Sequence, residues 1–574
     1  MKKKLCKLYQ SFFEKCNLWK VASISIVSLT FLVVNLWFIN QQFFPVHDFT
    51  SGARVFELHN TLKDGQFPPR WSENFGFGYG MPLFQFYAPL AFYIGEFFHL
   101  LGFSILTSIK LTFTAFTIFG FIGAYLLGKK LTNKWGGLLV AVAFTVAPYH
   151  AVNIYVRGAL AEFVATSFMP WSVYFTYLLL EGSKTKKAYL GLTLSLAGIF
   201  LSHNVTVVTF MPFWGVTTVF LALVLGKIKR VFPVVLSLVN GVAIAAFFLI
   251  PAFVQKGYTR VDTITEGFSQ FQLHFLYFRQ LFVPNWKYGG SVAGLHDDMS
   301  FYLGNDLVLS AVLGGGVVFY LFKKNKARKE NRTNLLLFLF FGLMFLLATF
   351  ATNYKSMRIW EQLPLVSFIQ FPWRFLGVAS FFLSILAGYL ALIPGSIKAG
   401  ALTFVCLTII LLNGRFFKPE KLIETGYIYQ PNRAYIQKTM SGILPDYLPP
   451  NVAWETYGPT EDVVVKHGDM EVRVVKATTN EVKVMIDAKK DSSITIKRFI
   501  FPNWQIRMDR EKTECRITNY FYECPVPAGE HELHLFWSEQ GINAISNIIS
   551  LLGLLVLGGY ISLPFVKTQL YAKV

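Results

Sequence analysis

Charge is the scarcest ingredient of this chain: Asp, Glu, Lys and Arg make up 15% of its 574 residues, against 53% hydrophobic and 17% aromatic. With a mean hydropathy of +0.45, it is not a string of soluble domains, whose cores interrupt apolar runs every few residues with polar positions. Acids are scarcer than bases, 33 to 53, which leaves a net charge of +20. That excess does not mark a nucleic-acid partner: the basic residues fall in short loops between apolar runs, and no nucleic-acid-reading module accompanies them. Cysteine is limited to five residues, and no pair has zinc-ligand spacing. Cys6 and Cys16 lie in the basic N-terminal tail and Cys406 within an apolar run. Cys515 and Cys524, nine residues apart, are equally compatible with a disulfide in an oxidising compartment and with two free thiols. Also missing are a phosphate-cradling G-x-x-x-x-G-K-S/T, a zinc-protease H-E-x-x-H and a G-x-S-x-G nucleophile elbow. The GFGYG at 76–80 does not stand between a strand and a helix, so it is no dinucleotide fingerprint. Internal repeats and low-complexity tracts are absent too.

What abounds is uninterrupted apolar sequence. Runs of ~20 residues, enough to cross a hydrocarbon core of about 30 Å, recur from Val21 onward. The basic loops set a topology. The tail of Lys2, Lys3, Lys4 and Lys7 goes to the cytoplasm, with the loops Lys129–Lys134, Lys184–Lys187, Lys227–Arg230, Lys323–Arg332, Lys398 and Lys567. Twelve crossings satisfy that scheme: 21–40, 104–127, 135–150, 160–180, 188–204, 205–226, 231–254, 306–322, 333–352, 374–394, 399–413 and 543–564, with both termini inside. The first run is too long for a signal-peptide core and lacks a small-residue cleavage site, so it reads as a retained helix. The expected organisation is a cytoplasmic tail (1–20), a helical membrane domain (21–414) with outer loops 41–103 and 255–305, a soluble region (415–542), and a last helix with its tail (543–574). Residues 83–101 are apolar enough to cross, yet counting them would carry the loops from Lys129 to Lys187 outside. They read instead as a helix lying in the interface or re-entering from outside, with Glu96 and His99 near water.

Residues 415–542 change character. EVRVVK, EVKVMID, SSITIK and HELHLFW have the period-two pattern of half-buried strands, and Pro525, Pro527 and Gly529 break the last pair. This predicts a small extracytoplasmic β-sandwich before the last helix, a binding or spacer module without chemistry of its own.

The first outer loop reads PVHDFTSGARVFELHNTLKDGQFPPRWSENFGFGYGMPLFQFYAPL. Asp48, with His47 beside it, lies eight residues past the first span. A carboxylate there can accept a proton from a hydroxyl or amide nucleophile, or help hold a divalent metal. By itself it is equally an ordinary solvated loop acid.

The surroundings give Asp48 more weight. An Asp just past the first helix, then G-x-x-P-x-R-W carrying Arg70, a Gly-rich stretch and an aromatic P-L-F-x-F-Y-x-P-L resembles the GT-C superfamily of membrane glycosyltransferases. Within it, the chain most resembles the bacterial membrane proteins labelled "6-pyruvoyl-tetrahydropterin synthase-related", although nothing here resembles a soluble pterin synthase with its zinc-binding histidines. YVRGALAE (155–162), SHN (202–204), DDMSFYLG (297–304), QFPWRFL (370–376) and DYLP (446–449) extend the resemblance over most of the chain. More distantly it is similar to the oligosaccharyltransferase catalytic subunit, where Arg157, Gly158 and Glu162 stand in place of an "R-x-x-x-G-x-x-D-x-E"-like outer loop. YVRGALAE offers one acid rather than a pair, so a divalent metal is open and not required.

The resemblance implies a polytopic α-helical, GT-C-like membrane protein of the bacterial plasma membrane. It further implies transfer of a sugar from a polyprenyl-phosphate or polyprenyl-diphosphate carrier to an envelope glycan, lipid or protein on the outer face. A base must then activate the acceptor, and cations must stabilise the departing phosphate. Asp48 is the candidate base. Arg157, Arg279 and Arg374 fall at outer ends of spans, where a guanidinium can grip phosphate bidentately or simply anchor a helix at the interface. His47, Arg70, Glu162, His203, Asp297 and Asp298 are supporting candidates. Glu162 is also explained by pairing with Arg157, His203 by capping between two closely spaced helices, and Asp297 and Asp298 as plain acids of the 255–305 loop. Asn204 opens a formal N-V-T sequon, but at the membrane boundary, where modification is not expected. A transporter or flippase of lipid-linked envelope precursors and a non-catalytic scaffold are the competing readings.

Overall fold

The computed structural model describes residues 18–395, 398–424, 431–443, 445–452 and 461–562. The basic tail with Cys6 and Cys16, and Lys567, lie outside them. In hydrocarbon a backbone must satisfy its own polar groups, so apolar runs fold as helices. Among the described residues, nine helices are long and apolar enough to cross a membrane. They are Trp19–Ile39, Ile105–Leu131, Leu160–Glu181, Asn204–Val224, Ile228–Val254, Asn305–Lys324, Lys329–Thr352, Pro372–Leu392 and Ile542–Ser562. Lys134–Thr145 and Pro148–Val156, bent by 41° where they meet, make a tenth if counted as one.

The other two of the twelve expected runs are helical as well. Lys398–Gly414 has only 17 residues. Thr185–Ser202 opens on Lys186 and Lys187 and carries Thr193 and Ser195. It can be that polar because it packs between the helices Met169–Glu181 and Val231–Val254, with eleven of its residues buried. A helix screened by neighbours needs less apolar surface than one facing lipid. At the hub, every residue from Phe375 to Gly388 is buried, against Lys134–Thr145, Asn305–Lys324 and Lys329–Thr352. Outer helices instead expose Leu309, Val312, Leu346, Leu551 and Leu555, the surface a lipid-facing helix presents.

The two ends of the bundle differ chemically. At one, Lys130 pairs with Glu181 at 2.7 Å, and the Lys134 ammonium lies 4.6 Å from the Trp19 ring. Asn133 donates to the Ala391 carbonyl at 2.9 Å, and Lys186 to that of Ile561 at 3.3 Å. The loops Lys129–Lys134 and Lys184–Lys187 thus gather at a single end, with Arg230 packed against Gly182 beside them. The opposite end holds the first long loop, the 255–305 loop and the β domain. There Leu90–Leu100 spans eleven residues, ~16 Å at 1.5 Å per residue, about half of what a crossing needs. Phe97, Leu100, Leu101 and Phe103 are exposed around it, as on an interfacial helix. Glu96, expected near water, is instead buried, with Oε1 2.8 Å from His59 Nδ1. It sits on the face turned toward the helix Ser51–Lys63.

The strands between Val463 and Trp537 form two antiparallel sheets. One orders Val463–His467, Ser492–Ile496, Phe521–Val526 and Arg516–Thr518; the other orders Met470–Thr478, Glu481–Ala488, Gly529–Trp537, Trp504–Met508 and Glu511–Lys512. Alternation fixes which face is inward: Val482, Val484, Ile486 and Ala488 are buried, with Val484 opposite Leu533 and Val482 opposite Leu535. Pro525 lies within a strand, opposite Ser493, not in the break after it. Cys515 and Cys524 are joined as a disulfide.

The Gly-rich stretch docks this domain. Gly80 has φ +79°, and a Cβ there would lie 2.2 Å from Trp71 Nε1, so only glycine lets the chain wrap the indole. Trp71 in turn meets Trp504 and Trp537 at 5.3 and 5.6 Å between ring centroids. The buried Arg70 donates to the Phe247 carbonyl (2.6 Å) and Asn547 Oδ1 (2.8 Å), and pairs with Glu539 at 3.3 Å. Arg70, expected to support the site, ties the first loop to the last helix and to the chain just past the sandwich.

Candidate active site

After the first helix, Phe43 pairs with Ile423 through two backbone hydrogen bonds. The chain then runs beside Val156 and Arg157, at the end of Pro148–Val156. His47 N–H donates to the Val156 carbonyl at 3.1 Å, and Asp48 N–H to that of Arg157 at 2.7 Å. This approach needs Gly158: its φ is +63°, and a Cβ would come within 2.5 Å of Val46 Cγ2. Immediately before it, Val152–Val156 forms a π-turn, a local widening that re-aims side chains. Together they turn Arg157 back onto the start of Leu160–Glu181.

There Arg157 Nη1 sits 2.8 Å from Glu162 Oε2 and donates to Asn153 Oδ1 at 2.6 Å. Tyr149 donates its hydroxyl to Glu162 Oε1 at 2.5 Å. Arg374 Nε approaches Glu162 Oε2 at 3.7 Å, while its Nη1 donates to the Ile369 carbonyl (2.9 Å) and Gln370 Oε1 (3.1 Å). Trp373 lies beneath both guanidiniums, with ring-to-Cζ distances of 4.7 Å for Arg157 and 6.0 Å for Arg374. A buried and a half-buried cation thus share one buried anion. Taking such charges out of water is tolerable only because they pair so closely.

Asp48 is held from its other side. Arg54 Nη1 lies 3.2 Å from Oδ1, Thr50 Oγ1 donates to the same oxygen at 2.9 Å, and the carboxylate side chain stays 32% exposed. Arg54, buried on the helix Ser51–Lys63, also donates to the Tyr87 hydroxyl at 3.0 Å and stacks over that ring at 3.9 Å. Burial pushes the Tyr87 phenol up to about 12, so it remains a neutral acceptor. Tyr447, from DYLP, stacks on Phe86 at 5.6 Å, within electrostatic reach of Arg54 and Asp48. Among these described residues, three guanidiniums face two carboxylates, an excess of one positive charge. The buried Nε of Arg54 has no hydrogen-bond partner, and that of Arg374 has only its 3.7 Å approach to Glu162 Oε2.

His203 caps the helix Asn204–Val224, its Nδ1 accepting from Thr206 N–H at 3.2 Å, and lies within electrostatic reach of Glu162, Arg374 and Arg157. It serves as the cap and borders the cluster at once. His47 Nε2 donates to the Tyr288 carbonyl at 2.9 Å, pinning the 255–305 loop beside Asp48.

The remaining candidates stand elsewhere. Arg279 is exposed on the short helix Phe278–Phe282 and borders a cavity of about 300 Å³ lined also by Lys287, His296 and Asp297. Asp297 is a loop organiser: it accepts from Val292 N–H at 2.8 Å and from the Gln280 amide, and burial pushes its carboxyl up to about 6. Asp298 pairs with Lys287 at the surface, 2.8 Å away. Arg54, Tyr87, Tyr149 and Trp373 were not singled out in the sequence. A signal existed for the first, since Arg54 is the lone basic residue in SGARVFELHN, a stretch otherwise able to form an apolar helix face.

The model of the family described as "6-pyruvoyl-tetrahydropterin synthase related domain; membrane protein" matches residues 84–417. The chain belongs to this family. The matched region contains Arg157, Glu162 and Arg374, while Asp48 and Arg54 precede it. An uncharacterized protein of Lactococcus lactis subsp. cremoris is 26% identical over 356 residues, covering 59% of this chain and 52% of that one. The dolichyl-phosphooligosaccharide-protein glycotransferase 1 of Pyrococcus horikoshii is 32% identical over 154 residues, covering 26% and 15% respectively. The chain therefore spans about half the length of the first of these curated relatives and much less of the second. Among solved structures, the arabinofuranosyltransferase AftD from Mycobacteria aligns at a TM-score of 0.42 and 14% identity, over 70% of this chain and 27% of that one.

Proposed function

We propose that this protein is a membrane glycosyltransferase of the GT-C type, moving a sugar from a lipid-linked phosphate donor to an acceptor of the cell envelope. One observation carries the reading: Asp48 is bonded through its backbone to Arg157, so a partly exposed carboxylate adjoins a buried cluster with excess guanidinium. The partial similarity to a glycotransferase whose name includes a dolichyl-phosphate-linked glycan agrees with it.

In this reading Asp48 removes the proton from the acceptor hydroxyl or amide as the new bond to the anomeric carbon forms. The anomeric carbon–oxygen bond to the carrier breaks, and the polyprenyl phosphate or diphosphate leaves with the electron pair. Arg157 and Arg374 neutralise the charge that develops there, in a site shielded from water. Arg54 and Thr50 orient the base. Glu162 and Trp373 hold the two arginines at a fixed spacing. The gathering of the basic loops at the opposite end supports an extracytoplasmic site in a plasma membrane, and the Cys515–Cys524 disulfide suits that compartment.

The test is release of free polyprenyl phosphate, followed by mass spectrometry. The protein in lipid nanodiscs is given a panel of polyprenyl-phosphate sugars and crude envelope acceptor. Wild type releases carrier, and Asp48→Asn loses at least about 10²-fold, the scale of general-base removal. Undiminished turnover in a well-folded Asp48→Asn protein would exclude Asp48 as the base. No release from any donor would favour movement of lipid-linked precursors across the bilayer instead.

A further inference from the structure

A second group of ligating side chains stands on the first long loop, outside the Asp48 cluster. His59, on the helix Ser51–Lys63, and Glu96 and His99, on Leu90–Leu100, each offer a donor atom within 4.8 Å of the others. The i, i+3 spacing puts Glu96 and His99 on one helix face, and the rings of His59 and His99 meet edge to face at 5.0 Å.

Three features distinguish the group from a simple ion pair. Glu96 is 2% exposed, and while its Oε1 lies 2.8 Å from His59 Nδ1, its buried Oε2 has no hydrogen-bond partner. An unsatisfied carboxylate oxygen away from water is costly, and a cation is the partner that removes the cost. His99 Nδ1 is 2.8 Å from the Phe103 carbonyl. A carbonyl only accepts, so this nitrogen carries the proton and Nε2 keeps its lone pair, the outer-shell arrangement that orients a ligating imidazole. The donor set is also selective: two imidazoles and one carboxylate suit zinc and its neighbours, whereas calcium and magnesium take oxygen ligands.

We propose that His59, Glu96 and His99 bind a divalent cation of the zinc class, clamping the short interfacial helix to the helix that carries Arg54. Three protein ligands leave a fourth position for water. Arg54 precedes His59 by five residues on its helix, and Tyr87 lies just ahead of Leu90–Leu100. The ion therefore fixes the two elements whose Arg54–Tyr87 contact backs Asp48. This site stands whatever reaction Asp48 serves.

The experiment uses the full chain in nanodiscs, stripped with chelator, dialysed against zinc and analysed by mass spectrometry for bound metal. Wild type and His531→Ala, a β-domain control, retain one equivalent and gain thermal stability with zinc. Glu96→Gln and His59→Ala/His99→Ala lose the metal and the gain. Cobalt loaded into wild type gives the visible bands of a low-symmetry nitrogen–oxygen site, a readout that needs no variant to fold. Wild type that retains no more zinc than the double variant, or that shows no cobalt bands, would reduce the group to a His59–Glu96 ion pair.

Discussion

Glu162 is the single anion between Arg157 and Arg374, and Tyr149 and Asn153 are spent on orienting it. Glu162→Gln would leave two guanidiniums facing each other, and breaking a buried pair from one side costs about 3–5 kcal/mol. Thermal denaturation in detergent is expected to show that loss. Arg157→Gln/Glu162→Gln should lose less than the sum of the single variants, since each removes the other's unpaired partner. Glu57 is the other decisive acid. It is fully buried, accepting from Ser72 Oγ (2.5 Å) and Asn74 Nδ2 (2.7 Å), and burial pushes its carboxyl up from 4.5 to about 7. With its pKa raised in the fold, the native state holds the proton more tightly than the unfolded chain. The contribution is complete below about pH 4.5 and is lost as pH rises through about 7. That amounts to roughly 3 kcal/mol at 1.36 kcal/mol per pH unit. Melting curves between pH 5 and 8 should show wild type losing stability relative to Glu57→Gln as pH rises.

At the level of elements, the site is made by irregular backbone. The 41° bend, the π-turn at Val152–Val156 and the left-handed Gly158 bring the 46–48 segment against Arg157. Gly158→Ala must either push Val46 aside or abandon its φ, at about 1–3 kcal/mol. In the proposed reaction, a displacement of about 1 Å at Asp48 is expected to lower turnover by about 10²-fold. Comparing donor cleavage with melting temperature separates the two effects: activity should fall far more than the stability loss explains. Element types were largely legible in the sequence. EVKVMID and HELHLFW alternate with period two and pair as adjacent strands, and the apolar runs are helices. From the basic loops the 83–101 segment read as a helix lying in the interface or re-entering, and the structure gives it an eleven-residue helix, Leu90–Leu100. The pairing of its Glu96 was not legible, because an isolated acid in an apolar helix says nothing of the histidine facing it from another element.

For the molecule as a whole, the basic loops Lys129–Lys134, Lys184–Lys187 and Lys227–Arg230 collect at one end, and the Asp48 cluster lies at the other. Asp64 is a poor reporter of sidedness, because its carboxylate accepts from Thr479 N–H at 2.8 Å under the β domain. Lys63 and Lys326 are exposed. In a protein without other cysteines, Lys63→Cys should react with an impermeant thiol reagent in intact cells. Lys326→Cys should react only after permeabilisation. The reverse pattern would place the Asp48 cluster in the cytoplasm and remove the extracytoplasmic donor from the functional reading.

The sequence by itself determined the membrane class, the segregation of basic loops and the β-rich region near the C-terminus. These follow from local quantities, namely run length, charge placement and residue period, which act on each segment independently of its neighbours. Tertiary structure alone decided which charges meet. Arg70 and Glu539 pair across 469 positions, Arg54 rather than a distant arginine holds Asp48, and in the 255–305 loop Asp297 bonds its own loop while Arg279 and Asp298 lie at the surface. Long-range pairing depends on where bends and glycine turns aim each side chain, and no local pattern encodes that direction.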